Sequence, residues 1–325
     1  MELSLHIEEW DLKQPFRISG QEWVSSRNVV VQLGQSGHLG RGEAQGVSYN
    51  NETPESIVAQ IEAVADTICR GITREELLDL LPSGGARNAI DCALWDLEAK
   101  SSGRSIWDLT GISPKPVTTV FTIGIEDTPE AMAANASDAS SFPVLKIKLD
   151  DVQPVERLTA IRNARPDAKI VVDANQGWNF EMLKEVLPEC AKLEISMVEQ
   201  PLPRGNDAEL EGFSSPITLA ADESCLDTSE LEVASQRYDM INIKLDKTGG
   251  LTEGLKLARA ARDKGCQLMV GNMMGTSLSM APSFVVAQLC DLVDIDGPLL
   301  LKYDFPGGLE YDEGQVAVFD SAFWG

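Results

Sequence analysis

The feature that most restricts what this chain can fold into is a spacing. Short apolar runs end at Lys148, Asp173, Glu199, Asp222, Lys244, Asn272 and Asp294, at successive intervals of 25, 26, 23, 22, 28 and 22 residues. Each interval holds one strand and one amphipathic helix, as in LTEGLKLARAARDKG, which Gly265 closes in the stop position. With VTTVFTIGI as a first strand, the alternation is too regular for an open sheet with a reversal point. A parallel (β/α) barrel is predicted.

The chain reads differently before and after this repeat. Residues 1–50 alternate apolar and polar positions in ELSLHIEEW, RNVVVQLGQ and GRGEAQGV, the pattern of an antiparallel meander. Residues 54–102 turn helical: Ala86, Ala89, Ile90, Ala93, Leu94 and Leu97 share one face, and Gly103 stands just beyond. An α+β unit is therefore expected over 1–116 and the barrel over 117–305. Residues 306–325 return to hairpin-like alternation and are expected to pack back on the first unit.

Composition excludes some partners. There are 51 acidic and 27 basic residues, net −24, with no basic run, so nucleic acid and anionic membranes would be repelled by the protein's own field. No apolar run approaches a membrane span. The amino terminus reads as a strand and not a signal peptide. Six cysteines scattered without a C-x-x-C pair favour reduced thiols and a cytoplasmic protein. The only histidines, His6 and His38, fall in the first 40 residues, so chemistry placed later needs another general base.

Active sites of such barrels lie at the carboxyl ends of the strands. Three consecutive strands bring Asp173, Glu199 and Asp222 to that mouth. Mutual repulsion would raise their pKa values unless a cation sits among them, and an all-oxygen set suits a hard divalent ion, Mg2+ above others. In PVLKIKLD, Lys146 and Lys148 lie two apart and so share a strand face. Lys148 precedes the acidic trio and Lys244 follows it, which puts them across the mouth from each other. Desolvation, a nearby Mg2+ and a second lysine favour the neutral amine, and Lys146 is read as lowering the pKa of Lys148. Either Lys148 or Lys244 could then take or give a proton at a carbon held between them. A bound carboxylate that loses its α-proton becomes an enediolate, and with an acid/base on each face the simplest outcome is inversion. Singly, each motif has a plainer reading: VVDAN as a helix cap, the lysines as snorkelling strand ends, DIDG as a turn.

As an ordered set, K-x-K (Lys146, Lys148), D-x-N (Asp173, Asn175), EQP (Glu199), DES (Asp222, Glu223) and the lysine of NIKLDKTGG (Lys244) resemble the enolase superfamily, within it the muconate-lactonizing subgroup, over essentially all 325 residues. The resemblance implies an α/β fold, a modified TIM barrel of (β/α)7β form, capped by an α+β domain built from the N-terminal unit and the C-terminal tail. It implies Mg2+ at Asp173, Glu199 and Asp222, with Mn2+ as the alternative ion, Lys148 and Lys244 as acid/bases beside Lys146, and Asn175 and Glu223 behind them. GGARNAIDCALWDLEAK and MINIKLDKTGGLTEGLKLA are similar to the dipeptide epimerases, especially those acting on L-Ala-D/L-Glu. So is DIDG, where Asp294 and Asp296 would hold the free α-amino group as a charge-assisted pair. Asn272 and Met273 fall among the implied substrate-binding positions.

PFRISGQEWVSS departs from that pattern. The arginine expected to pair with a glutamate side chain is not in place: Arg17 comes too early, and Gly20, Gln21 and Trp23 occupy the region. Either Arg17 substitutes, or the accepted side chain is not acidic and Trp23 covers an apolar group. The expected activity is metal-dependent epimerisation of a dipeptide at its C-terminal α-carbon, with L-Ala-D/L-Glu as lead candidate. N-acylamino acid racemases, o-succinylbenzoate synthases and cycloisomerases share the ligands and lysines and stay as rivals, as does a non-catalytic ligand-binding barrel. Assembly into a homo-oligomer is compatible with the reading, its number unset.

Overall fold

A computed structural model describes residues 1–325. Strands β1 (Glu2–Ile18), β2 (Gln21–Gln35) and β3 (His38–Ala44) form an antiparallel sheet in chain order. Their first hairpin ends at a tight turn where Gly20 takes a positive φ of 74°. Helices α1 (Pro54–Cys69), α2 (Arg74–Leu80), α3 (Gly85–Ser102) and α4 (Ile106–Thr110) follow. Thr53, Thr73 and Ser105 start α1, α2 and α4 with capping boxes. The predicted apolar face of α3 is buried with Val29, Val31 and Leu33 of β2. β3 runs so close beneath α3 that a Cβ on Gly42 would lie 2.1 Å from the Ala89 carbonyl oxygen, and one on Gly40 2.2 Å from that of Ala93.

After the short β4 (Val117–Thr118) come eight parallel strands: β5 (Phe121–Ile123), β6 (Val144–Lys148), β7 (Lys169–Asp173), β8 (Ile195–Glu199), β9 (Thr218–Ala221), β10 (Met240–Ile243), β11 (Gln267–Val270) and β12 (Leu292–Val293). They pair in chain order, and the Val120 N–H donates to the Val293 carbonyl (2.9 Å) across the seam between the first and the last. Their connections carry α5 (Pro129–Asp138), α6 (Pro154–Ala164), α7 (Phe180–Lys192), α8 (Leu231–Arg237), α9 (Leu245–Thr248) with α10 (Leu251–Asp263), and α11 (Ser277–Ala287). The helix expected between β8 and β9 is replaced by a single 3-10 turn, Ala208–Leu210. Pro201, Pro203 and Pro216, with Gly205 and Gly212, leave no uninterrupted stretch for a longer helix. No helix is long and apolar enough to cross a membrane.

Past β12, α12 (Gly297–Leu300) leads to β13 (Tyr311–Asp312) and β14 (Gln315–Val316), and β14 pairs with β4. The final residues touch the first unit: the Trp324 indole donates to the Arg41 carbonyl (3.0 Å) and the Gly325 N–H to Asp96 (2.8 Å).

The period of two along each strand sorts the barrel's contents. Leu145 and Ile147 of β6, and Leu149 just beyond it, turn outward into the large core beneath the helices. One inward position per strand forms an apolar floor: Val120, Val144, Val171, Met197, Ala220, Met240, Met269 and Leu292. Two residues further on, the same face presents Thr122, Lys146, Asp173, Glu199, Asp222, Asn242, Gly271 and Asp294. The polar layer is thus one pleat above a dry one.

Gly42→Ala is expected to destabilise the fold by about 3 kcal/mol, as overpacking against backbone does. Gly34→Ala, whose Cβ would meet nothing closer than 3.6 Å, should change stability by less than about 0.5 kcal/mol. Urea denaturation of the two variants compares them directly.

Candidate active site

Six carboxylates and four lysines meet in and around the polar layer. Lys146, only 1% exposed, places Nζ 2.7 Å from Glu199 Oε2, 2.8 Å from Asp294 Oδ2 and 3.1 Å from Asp173 Oδ2. Burial works against its charge, but Asp294, Glu199 and Asp173 outweigh it and hold the pKa well above the usual lysine value. One pleat higher on the same face, Lys148 donates to Asp173 Oδ2 (2.7 Å) and to Asn175 Oδ1 (3.1 Å). Lys244, at the end of β10, donates to Asp222 Oδ2 (2.6 Å). β6 and β10 are four strands apart in a ring of eight, so Lys148 and Lys244 reach the acids from opposite sides.

The acids respond unequally. Burial would raise Asp173, yet Lys148 and Lys146 bring it to about 2. Asp222, equally buried, is held below the usual carboxylate range by Lys244 and Lys247. Glu199 is pushed up to about 7 by burial and the charge of Asp173. Glu223 rises to about 8 by burial and the neighbouring Asp222 and Asp173. Glu199 Oε2 and Asp222 Oδ1 lie 2.7 and 2.8 Å from the Lys146 and Lys247 nitrogens, yet neither receives a hydrogen bond of acceptable geometry. Their charges are in contact while lone pairs stay open. With Asp173 they form a buried, all-oxygen donor set, which fits a hard divalent cation.

A further shell fixes these groups. The Asn242 amide donates to Glu199 Oε1 (2.7 Å). The Gln200 side-chain oxygen accepts from the Asp222 and Ser224 N–H groups, both at 3.0 Å. Lys247, buried on α9, donates to the carbonyls of Asp222 (2.5 Å), Asn242 (2.9 Å) and Cys225 (3.0 Å). It thereby ties the ends of β9 and β10 together. On the β12 side, Asn272 donates to Asp294 Oδ1 (2.9 Å) and the Thr122 N–H to Asp296 Oδ2 (2.6 Å). Burial, then the charge of Asp294, pushes Asp296 up to about 7. Two adjacent buried carboxylates of this kind would be stabilised by an ammonium.

A cavity of about 520 Å³ lies between this cluster and the first unit. Lys148, Asn175, Glu223, Lys244, Asn272 and Met273 line it from the barrel, and Trp23 lines it from β2, stacked on Phe16 with ring centroids 6.5 Å apart. Asp173, Glu199, Asp222, Lys146, Asp294 and Asp296 are buried below these residues. Arg17, one of the two alternatives for meeting an acidic side chain, is not among the residues that line the cavity. Phe16 and Ile18 face the cavity, so Arg17 between them points the other way. Its guanidinium donates to the Ile125 carbonyl and to Asp127, both at 3.0 Å. The guanidinium on the cavity wall belongs to Arg27, paired with Glu55 at 2.6 Å.

Sequence reading overlooked Arg27, Tyr49, Gln200, Asn242 and Lys247. Asn242 was within reach, since it precedes Lys244 by two, the same spacing that relates Lys146 to Lys148. Lys247 carries no strand-period signal because it reaches back from a helical turn.

Comparison with known proteins agrees with this geometry. Residues 1–111 match the mandelate racemase / muconate lactonizing enzyme N-terminal domain, and residues 130–322 the enolase C-terminal domain-like family. The chain is 43% identical to an L-Ala-D/L-Glu epimerase of Escherichia coli K12, over 95% of this chain and 97% of that protein. It is 40% identical to an N-acetyl-D-glutamate racemase of a Pseudoalteromonas species, over 91% and 95%. A solved enolase family member from Agrobacterium tumefaciens, with homology to dipeptide epimerases and with bound sodium and L-Ala-L-Glu, superposes with a TM-score of 0.97 at 42% identity, covering 99% of both chains. Three further solved dipeptide epimerases, 26 to 30% identical with TM-scores of 0.89 to 0.91, are complexed with Mg and a dipeptide; they cover 97 to 98% of this chain and 92 to 97% of their own.

Lys247→Met removes one counter-charge of the buried Asp222 and the donor to three carbonyls. Its expected cost is about 3 kcal/mol, the scale for breaking a buried pair. Lys192→Met, which breaks an exposed pair with Glu189 at 2.7 Å, should cost less than about 0.5 kcal/mol. Denaturant midpoints separate the two.

Proposed function

We propose that this chain, which belongs to the mandelate racemase / muconate lactonizing enzyme family of the enolase superfamily, is a metal-dependent dipeptide epimerase with L-Ala-D/L-Glu as its lead substrate. The observation that carries the proposal is the pair of buried lysines, Lys148 and Lys244, facing one another across Asp173, Glu199 and Asp222. In this reading residues 1–116 form the cap, 117–305 the barrel and 306–325 the returning tail. Six free thiols support a reducing, cytoplasmic setting, and the strongly acidic chain suits a small-molecule substrate and not nucleic acid.

Asp173, Glu199 and Asp222 would hold Mg2+, with Mn2+ as the alternative ion, and such a cation would supply positive charge that stabilises the substrate carboxylate as charge builds on it. The chain's own groups do the rest. One lysine, entering as the neutral amine, takes the α-proton; the other, entering as the ammonium, returns a proton to the opposite face. The centre inverts, and exchanging the two protonation states runs the reaction backward. Lys146 stays charged and keeps Asp294 within one ion-pair network with Glu199 and Asp173. Asp294 and Asp296 receive the substrate's α-ammonium, with Asn272 and the Thr122 N–H fixing the two carboxylates.

The relationship to an N-acetyl-D-glutamate racemase gives a second reading, racemisation of N-acylated glutamate. An N-acyl group carries no ammonium, so it leaves buried Asp296 without a cation, since the Lys146 ammonium reaches only Asp294 of that pair. That pair favours the dipeptide.

Incubation of L-Ala-L-Glu with enzyme and Mg2+, followed by chiral chromatography, is expected to yield L-Ala-D-Glu until the two epimers are nearly equal. EDTA should stop the conversion and added Mg2+ restore it. Racemisation of N-acetylglutamate with no action on any L,L-dipeptide would replace the proposal with the second reading. Asp296→Asn should raise KM for dipeptides at least about tenfold, the scale of a lost charged hydrogen bond, and leave N-acylglutamate unaffected. Asp296 binds a proton as pH falls through about 7, so its anchoring charge is present above that pH and lost below it. Dipeptide kcat/KM should therefore fall on the acid side, and the Asn variant should lack the part of that fall due to Asp296.

A further inference from the structure

Resting on the dipeptide reading, we propose that the Tyr49 hydroxyl is a substrate-contacting donor that selects an oxygen acceptor on the side chain of the C-terminal residue. It takes the recognition role that Arg17 cannot fill from its place outside the cavity.

Tyr49 lies in the 3-10 turn Ser48–Asn50. The turn is held on both sides. The Val47 carbonyl accepts from the Asn50 and Glu52 N–H groups at 2.9 and 3.3 Å, and the Glu52 carboxylate accepts from the Val47 N–H at 2.8 Å and the Gly85 N–H at 3.1 Å. Asn51 closes the turn in the left-handed region, φ 61°. The phenol therefore stands on a fixed support, and its residue lines the cavity together with Lys148, Lys244 and Glu223.

The Tyr49 oxygen is buried and has no hydrogen-bond partner. Buried tyrosine hydroxyls ordinarily find one, so this one is placed to donate to something that enters the cavity. Burial, reinforced by Asp222 and Glu223, keeps the phenol protonated. A neutral phenol beside a carboxylate-rich floor is a donor that does not repel an incoming anion. The chemistry it selects is a carboxylate or amide oxygen at the end of a glutamate-length side chain, and a site built to make such a bond rejects analogues that lack the acceptor.

The test compares wild type and Tyr49→Phe on L-Ala-L-Glu, L-Ala-L-Gln and L-Ala-L-Met, three side chains of similar length. Because the hydroxyl makes no bond within the protein, the variant should melt with the wild type. On the Glu and Gln peptides it should lose about tenfold in kcat/KM, chiefly through KM, while the Met peptide stays within about twofold. Equal losses on all three peptides would overturn the proposal and assign Tyr49 a structural role, such as donation to Glu223 Oε2, which is also unpartnered. Unchanged kcat/KM on L-Ala-L-Glu would overturn it as well. A wild-type enzyme inactive on every dipeptide would overturn the epimerase reading and this assignment with it, and that result is visible before the variant is examined.

Discussion

The structure depends on a charge held where charge is costly: the Lys146 ammonium, 1% exposed, among Asp173, Glu199 and Asp294. Apolar residues of similar volume would stabilise a barrel interior at least as well as buried ion pairs. Here an apolar floor lies one pleat below, so the means to fill the interior were at hand. The polar layer is therefore best understood through what it does. Each carboxylate is positioned by a lysine or a neutral donor, and Glu199 and Asp222 each retain an oxygen without a proper hydrogen bond. A cation held by Asp173, Glu199 and Asp222 would supply positive charge to those open oxygens.

The cap is fastened to the barrel beside that layer. Glu43 of β3, buried and pushed up to about 7 chiefly by burial, accepts from Asn28 of β2 and from the Thr276 N–H, both at 2.8 Å. Ser26 donates to the Met274 carbonyl at 2.7 Å. Asp246, on α9, accepts from the Gly46 N–H at 2.8 Å, and Asp91 of α3 accepts from the Thr252 hydroxyl at 2.6 Å. The contacts of Glu43, Ser26 and Gly46 join the antiparallel sheet and the turn after it to the segments that follow β11 and β10, and that of Asp91 joins α3 to α10. In the proposed reading, side-chain selection by the cap and proton transfer at the barrel would thus be performed by parts held in fixed relation.

The sequence made the floor of the site legible and left its walls obscure. Lys146, Asp173, Glu199 and Asp222 are inward strand positions, and the regular βα spacing together with a period of two suffices to bring them together. Arg17 shows where that reasoning stops. The β1–β2 register is irregular between Asp11 and Phe16, and a one-residue change of phase exchanges the cavity face for the outer face. Tyr49 sits in a turn with no period, and Lys247 reaches back from a helical turn. Both are recognisable only from contacts between parts distant in the chain. The missing helix between β8 and β9 was foreshadowed by three prolines that strand spacing alone ignores.

The central claim is that Lys148 and Lys244 serve opposite faces of one α-carbon. The most direct measurement is stereospecific α-proton exchange in deuterium oxide, followed by mass spectrometry, for Lys148→Ala and Lys244→Ala with L-Ala-L-Glu and L-Ala-D-Glu. The account predicts that neither variant epimerises and that each exchanges the α-proton of only one epimer, the two variants acting on opposite ones. Full epimerisation by either variant, or exchange of both epimers by both, would contradict it.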